Sequence, residues 1–291
     1  MRVENGHGKN KPNIRKFAEN DMADGFNSDG LDCESGGQKK TVKVGTRGSM
    51  LALAQTELVI KALKKRFSQI DFQMITMSTR GDRDTSRALL EFGGKAVFVE
   101  EFEEAILKGD IDIAVHSAKD MPMEIMEGLT ISGTLPRACP QDVLIYKSGR
   151  SFDGNESFVV GTSSLRRQYQ IRDMYRNVVC KNLRGNVGTR IQKLEDGEYD
   201  AIILAAAGLE RLGVIEDKGN DSTECFEVHK DELTFRYIST ESMLPAACQG
   251  IIAIETRTSG EVYDMVRAIN DTEVYTCLLY TSPSPRDMRR S

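Results

Sequence analysis

The chain has 291 residues, 40% of them apolar, and a formal net charge of −5. That length holds about two domains of ~150 residues each, and the apolar share suffices for ordinary buried cores. The acidic balance excludes a global basic field that would draw the chain to nucleic acid or anionic membrane, so any anion site must be local.

Residues 1–40 are polar, rich in Gly, Asn, Asp, Lys and Glu, and without apolar period, which predicts a disordered extension; its acidic residues argue against a transit peptide. The pattern changes at Thr41. Thr41 to Val44 reads as a strand, and Gly45-Thr46-Arg47-Gly48-Ser49 leads into helical spacing through Leu51, Gln55, Leu58 and Ala62 as far as Phe67. Phe72 to Met77 is a second strand. Val97 to Leu107 is a helix with Phe98, Phe102 and Ile106 on one face, and Ile111 to Val115 is a buried strand running into His116. After Pro136 and Pro140 the rhythm restarts. Val143 to Tyr146 and Phe158 to Val160 read as strands, Ser164 to Tyr175 as a helix, and Val178 to Lys181 as a strand. Thr189 to Glu195 follows as a helix ending near Gly197, then a strand at Ala201 to Ala205 and a helical turn at Leu209 to Leu212. Leu244-Pro-Ala-Ala-Cys-Gln-Gly250 precedes a strand at Ile251 to Glu255, and Glu261 to Ile269 is helical. Leu278 to Ser291 carries no fold pattern.

Two α/β units of similar size predict two lobes with a cleft between them. Lobe 1 takes residues 41–138 plus about 236–256, and lobe 2 takes 139–235. Residues 257–276 read as the start of a third domain, and 277–291 as a non-native tail.

The six cysteines, Cys33, Cys139, Cys180, Cys225, Cys248 and Cys277, form no C-x-x-C pair, and a chain this long needs no disulfide scaffold. Reduced thiols in a cytoplasmic protein are expected. His7, His116 and His229 show no zinc-type spacing, so no metal is expected. No apolar run approaches the ~18 residues of a membrane span, and the N-terminus lacks an apolar signal core.

The residues that can carry chemistry gather where strands give way to helices, which in open α/β sheets is where ligands sit. Arg166 and Arg167 follow Gly161-Thr-Ser-Ser164, Arg184 and Arg190 flank Gly185 and Gly188, and Arg47 and Ser49 form a similar junction. A helix N-terminus offers free N–H groups and a positive dipole end, both suited to carboxylate or phosphate, and guanidinium grips a carboxylate in a planar, two-pronged way. Ser163 and Ser164 can cap the helix or donate to a ligand. Any single arginine is more simply a solvated charge or an ion pair. Five at strand ends point to an anion nearby, because a helix N-terminus disfavours a lone cation. Asp120, after Lys119, is either a carboxylate held among cations for charge stabilisation or a helix cap; spacing does not separate these. His116 reads as a structural, hydrogen-bonded group. Gly93-Gly94-Lys95 is a weak anion-turn signal without the spacing of a phosphate loop.

Gly45-Thr-Arg-Gly-Ser49, Leu51-Ala-Leu-Ala-Gln55, Gly93-Gly-Lys95, Val115-His-Ser-Ala-Lys-Asp120, Gly161-Thr-Ser-Ser-Leu-Arg-Arg167, Leu183-Arg-Gly-Asn-Val187 and Leu244-Pro-Ala246 together, in that order, resemble porphobilinogen deaminase (hydroxymethylbilane synthase) from about Val42 to Thr276. The resemblance implies two lobes like those of periplasmic binding proteins, with mixed and parallel sheets, and a small third α/β domain. It implies a monomeric transferase that joins four porphobilinogen molecules head to tail, releases ammonia and yields hydroxymethylbilane for haem and related tetrapyrroles. It further implies a dipyrromethane cofactor bound through a thioether to a cysteine of the third domain. Carried over by motif, Asp120 is the catalytic aspartate that stabilises the positive charge left when ammonia departs. Arg47, Arg166, Arg167, Arg184 and Arg190 hold acetate and propionate groups, with Ser49, Lys119, Ser163 and Ser164 as hydrogen-bonding neighbours. The cofactor cysteine of the family sits in a Gly-Cys context, which occurs nowhere in this sequence, and Cys277 is in the wrong context and too early. No attachment site is therefore assigned. The alternatives are an inactive truncated fragment and a two-lobed polycarboxylate binder without catalysis. Cys248 reads as a small buried hydrophobe.

Overall fold

The computed structural model describes residues 40–78, 99–122, 124–152, 156–216 and 224–281. The N-terminal extension, Gly93-Gly94-Lys95 and Phe98 lie outside the described residues.

The first sheet is built from β1 (Thr41–Arg47), β2 (Asp71–Met77), β3 (Ile113–Ser117), β4 (Leu129–Thr134) and β11 (Ile252–Arg257), with α1 (Met50–Arg66) and α2 (Glu100–Lys108) as its crossovers. Its order is β2-β1-β3-β11-β4. β1 runs parallel to β2 and β3, and β11 antiparallel to β3 and β4. The helices are set by local chemistry. Ser49 caps α1, whose last turn carries Lys64, Lys65 and Arg66 against the negative dipole end. Acidic Glu100, Glu101 and Glu103 open α2, and Gly109, left-handed at φ 84°, ends it. α2 buries Phe102 and Ile106.

The second sheet holds β5 (Asp142–Lys147), β6 (Phe158–Gly161), β7 (Val178–Lys181), β8 (Ala201–Ala205), β9 (Phe226–Lys230) and β10 (Leu233–Tyr237), with α3 (Leu165–Met174), α4 (Val187–Glu195) and the short α5 (Ala206–Arg211). Its order is β7-β6-β8-β5-β10-β9. The parallel trio β7-β6-β8 repeats the arrangement of β2-β1-β3, with the first strand in the middle. Each sheet therefore has a point where successive crossovers leave in opposite directions, at the carboxyl ends of β1/β3 and of β6/β8, and such points are where α/β sheets bind ligands. The α/β architecture with two sheets is the one the sequence predicts.

The chain passes between the sheets after β4 and again after β10. Here Ala138 N–H donates to Gly250 O at 3.1 Å, Arg137 Nε to Gln249 O at 2.9 Å and Arg211 to Gly250 O at 2.6 Å. Gly250 has φ 90°, and a Cβ on it would stand 2.3 Å from Ala138 O, so both the conformation and the close approach require glycine. The return follows Tyr237, because β10 keeps pairing with β5 to the Tyr237–Val143 register and Ile238 N–H still reaches Asp142 O at 2.9 Å.

Two further elements differ from the sequence reading. The hairpin β9–β10 turns through Asp231-Glu232, with Asp231 at φ 54°. The segment from Glu261 onward packs on the first sheet as α6 (Glu261–Ile269) and α7 (Thr272–Thr281). Met265 and Val266 join Val42, Val44, Val59 and Leu63 in that sheet's core. The helix does not stop before Leu278. Val274, Tyr275 and Leu278 share one face, and Leu278 packs with Ala118, Ile131, Ile251 and Ala253.

Candidate functional site

Four strand-to-helix junctions carry the predicted residues, and their serines turn out to be occupied within the chain. Ser49 Oγ accepts Ala52 N–H at 3.3 Å and caps α1. Ser164 Oγ accepts Arg167 N–H at 3.4 Å and caps α3. Ser163 Oγ donates to Leu183 O at 2.9 Å and accepts Leu183 N–H at 3.1 Å, latching the loop after β6 to the loop after β7. Asn186 caps α4 by accepting Thr189 N–H at 2.8 Å. Arg190 Nε donates to Gly185 O at 2.8 Å, and Gly185 takes φ 114°, where an added Cβ would stand 2.9 Å from Thr189 Cβ. Arg47 closes β1, half-buried, and Arg184 is exposed after β7.

The anion that the arginine pair calls for is in part supplied by the protein itself. Asp142, fully buried at the start of β5, accepts from Arg167 Nη2 at 2.7 Å and Nε at 3.0 Å, and from Arg166 Nη2 at 2.6 Å. Gln249 Nε2 donates to the same carboxylate at 3.0 Å. Arg167 is itself buried and also donates to Ile203 O at 3.0 Å, while Arg166 donates to Leu244 O. Burial alone would raise the Asp142 pKa, but the charges and hydrogen bonds of Arg167 and Arg166 outweigh it and hold the carboxyl below its ordinary value. No pattern in the sequence singles out Asp142.

Around this pair the two sheets bring charge together. Lys119 and Asp120 form a short 3₁₀ turn after β3 with Ala118; Asp120 is exposed and Lys119 half-buried. Burial pushes the Lys119 ammonium below the usual lysine value; Arg167 and Arg166 push the same way, and Asp120 and Asp142 oppose them. Burial likewise lowers Arg190, with Arg167 adding to the effect and Asp120 opposing it. Lys119 and Asp120 of the first sheet thus act directly on Arg166, Arg167 and Arg190 of the second. Four cations face two carboxylates, one buried and one exposed, which leaves positive charge for an anionic ligand to balance. Among the described residues no group of His, Cys, Asp and Glu could hold a metal ion.

His116 lies apart from this cluster in role. Its Nε2 meets Glu255 Oε2 at 3.0 Å, both side chains are buried, and the ring packs edge-on to Phe102 at 5.6 Å. Glu103 completes a buried acidic group: it accepts Met126 N–H at 3.1 Å, and burial, reinforced by Glu255, raises its pKa. This is the structural role that the sequence assigns to His116.

The fold is that of an α/β protein with two sheets whose strand ends gather cationic side chains near one exposed carboxylate. Residues 42–264 match the family model described as porphobilinogen deaminase, dipyromethane cofactor binding domain. The porphobilinogen deaminase of Streptococcus sanguinis strain SK36 is 41% identical over 235 residues, 80% of this chain and 72% of that one. That of Alkaliphilus metalliredigens strain QYMF is 38% identical over 242 residues, 82% of this chain and 72% of that one. Among solved structures, the chain is similar to the periplasmic VFT2 domain of Bordetella pertussis BvgS, at 16% identity and a TM-score of 0.42, covering 86% of this chain and 91% of that one. The chain belongs to the porphobilinogen deaminase family, a family of hydroxymethylbilane-synthesising transferases of porphyrin and haem biosynthesis whose cofactor is dipyrromethane.

Proposed function

We propose that this chain binds porphobilinogen at the Asp120 cluster and joins its units head to tail into hydroxymethylbilane. The observation that carries the reading is the charge of Asp120 acting on Lys119 and on Arg190, two cations that Arg167 also neighbours. In each step the carbon–nitrogen bond to an aminomethyl group breaks and ammonia leaves. A carbon–carbon bond forms to the next pyrrole, and that ring gives up a proton. Positive charge develops on the pyrrole as the bond to nitrogen breaks, and the Asp120 carboxylate stabilises it there. Arg166, Arg167, Arg190 and Lys119 hold the acetate and propionate groups, with Arg47 and Arg184 at the margins. Ser49, Ser163 and Ser164 act by fixing the junctions that carry these cations.

The donor set fits a dipyrromethane, whose side chains are also carboxylates; when bound, that group supplies the pyrrole carbon to which the first unit is joined. Arg166, Arg167, Arg190 and Lys119 would hold its carboxylates. No thiol of the chain is assigned to its thioether, because none follows a glycine. The excess of cations over carboxylates in the cluster also suits a second reading, polycarboxylate binding without turnover. The chain is taken to work as a cytoplasmic monomer without nucleic acid or membrane partners; no helix among the described residues is long and apolar enough to cross a membrane.

The intact mass of the purified chain after incubation with porphobilinogen tests the catalytic reading. A dipyrromethane-sized adduct mapped to a cysteine, growing with further substrate, supports it. Unchanged mass with no ammonia released, although porphobilinogen binds, overturns catalysis and leaves the binding reading.

A further inference from the structure

Asp142 sits where both passages between the sheets meet the start of α3. Its two oxygens are divided between the arginines: Oδ2 accepts from Arg166, and Oδ1 from Arg167 and from Gln249. Gln249 belongs to the return passage, is itself buried, and also donates to Pro140 O at 2.6 Å on the outward passage. The Asp142 side chain has 0% exposure, so it reaches no ligand directly. Arg167 is held at all three guanidinium nitrogens, by Asp142 at Nε and Nη2 and by Ile203 O at Nη1. A guanidinium carries five N–H donors in one plane, so fixing these bonds fixes the directions in which the remaining ones point. Arg166, bound to Asp142 through Nη2 and to Leu244 O through Nη1, is set in the same way.

We propose that Asp142, steadied from the inter-sheet passage by Gln249, is a positioning residue that orients Arg166 and Arg167 so that their outward N–H groups receive a ligand carboxylate. This rests on the porphobilinogen reading of the cluster. A buried charge is a costly way to place two arginines. Its return is geometric, because one carboxylate plane dictates the mutual orientation of both forks, and that sets selectivity for carboxylate spacing. Gln249 makes the orientation depend on the two passages being in register.

The test compares binding of porphobilinogen with that of its dimethyl ester by the full chain, using calorimetry. The wild type prefers the free acid. Asp142→Asn keeps the shape but removes the charge that aligns the arginines, and it reduces the acid-over-ester preference about tenfold, the worth of one charge-assisted hydrogen bond. Asp142→Glu restores part of that preference. If Asp142→Asn does not fold, Gln249→Ala is the readout: it leaves both ion pairs in place, removes the steadying bond and lowers the preference by about two- to threefold. A merely structural role lowers affinity for acid and ester alike, so an unchanged ratio in the folded variants overturns the proposal. A wild-type chain that does not distinguish acid from ester overturns the porphobilinogen reading instead, and the proposal falls with it.

Discussion

Asp142 and Asp120 show how one side-chain type serves opposite ends at two depths. Asp142 is buried against Arg166 and Arg167, and its carboxyl is held below the ordinary range. A carboxylate with a depressed folded pKa contributes stability that is complete above the unfolded value, ~3.9 for Asp, and is lost as pH falls through the folded value. Removing one partner of such a pair leaves buried charge uncompensated, at about 3–5 kcal/mol. Asp142→Asn is therefore expected to lower stability by about that amount at neutral pH, with the deficit shrinking below pH ~4 as the wild type protonates. Urea unfolding of both proteins across that range checks the sign; a deficit that stays constant would mean the ion pairs contribute no pH-linked stability. Asp120 is exposed. Asp120→Asn should change stability by no more than ~0.5 kcal/mol while cutting ammonia release from porphobilinogen by about 10²–10³-fold, as for the loss of one preorganised electrostatic partner. Equal release rates would remove Asp120 from the chemistry.

At the scale of elements, the β-α-β rhythm was legible because Ile113–Ser117 and Ala201–Ala205 are buried, mostly apolar strands, each pairing in parallel with an earlier strand of its β-α-β series. β4 was not. Its sequence Leu-Thr-Ile-Ser-Gly-Thr is buried at five of six positions, but its small and hydroxyl residues leave no apolar run to mark a strand. Gly133 is small because α6 lies on it: a Cβ there would stand 3.0 Å from Val266 Cγ1 and 3.1 Å from Val266 O. A backbone oxygen cannot rotate away, so Gly133→Ala should displace α6 and cost about 1–3 kcal/mol, the usual range for overpacking; a denaturation midpoint equal to the wild type would show that the helix yields freely. The β9–β10 hairpin did carry a signal, the alternation of Phe226 and Val228 with Leu233, Phe235 and Tyr237. The arginines at strand ends were visible in the sequence, but Asp142 was not. It follows Pro140-Gln141 like a polar turn residue and becomes buried only when the two passages between the sheets close over it.

At the scale of the whole molecule, the porphobilinogen reading requires a chain of net charge −5 to attract a polyanion. Two fields compete. The net charge repels a dianionic ligand at long range, at ~0.2 kcal/mol per charge pair at ~20 Å in water. The cluster of Lys119, Arg166, Arg167 and Arg190 attracts it at contact, where a pair near a protein surface is worth up to ~4 kcal/mol before desolvation. Contact wins by magnitude, and the local excess of cations over Asp120 and Asp142 keeps its sign even though Asp142 is already paired with Arg166 and Arg167. Salt separates the two fields. Between 0.01 M and 0.15 M the screening length falls from ~30 Å to ~8 Å, which abolishes the distant repulsion and trims only the exposed part of the attraction. Screening a partly exposed pair worth ~0.2–1 kcal/mol changes affinity by a factor of about 1.4 to 5. Porphobilinogen binding, titrated calorimetrically across that salt range, should therefore weaken by about that factor. Binding that tightens as salt is added would mean the net negative field dominates, and the cation cluster would then not be the seat of the ligand's carboxylates.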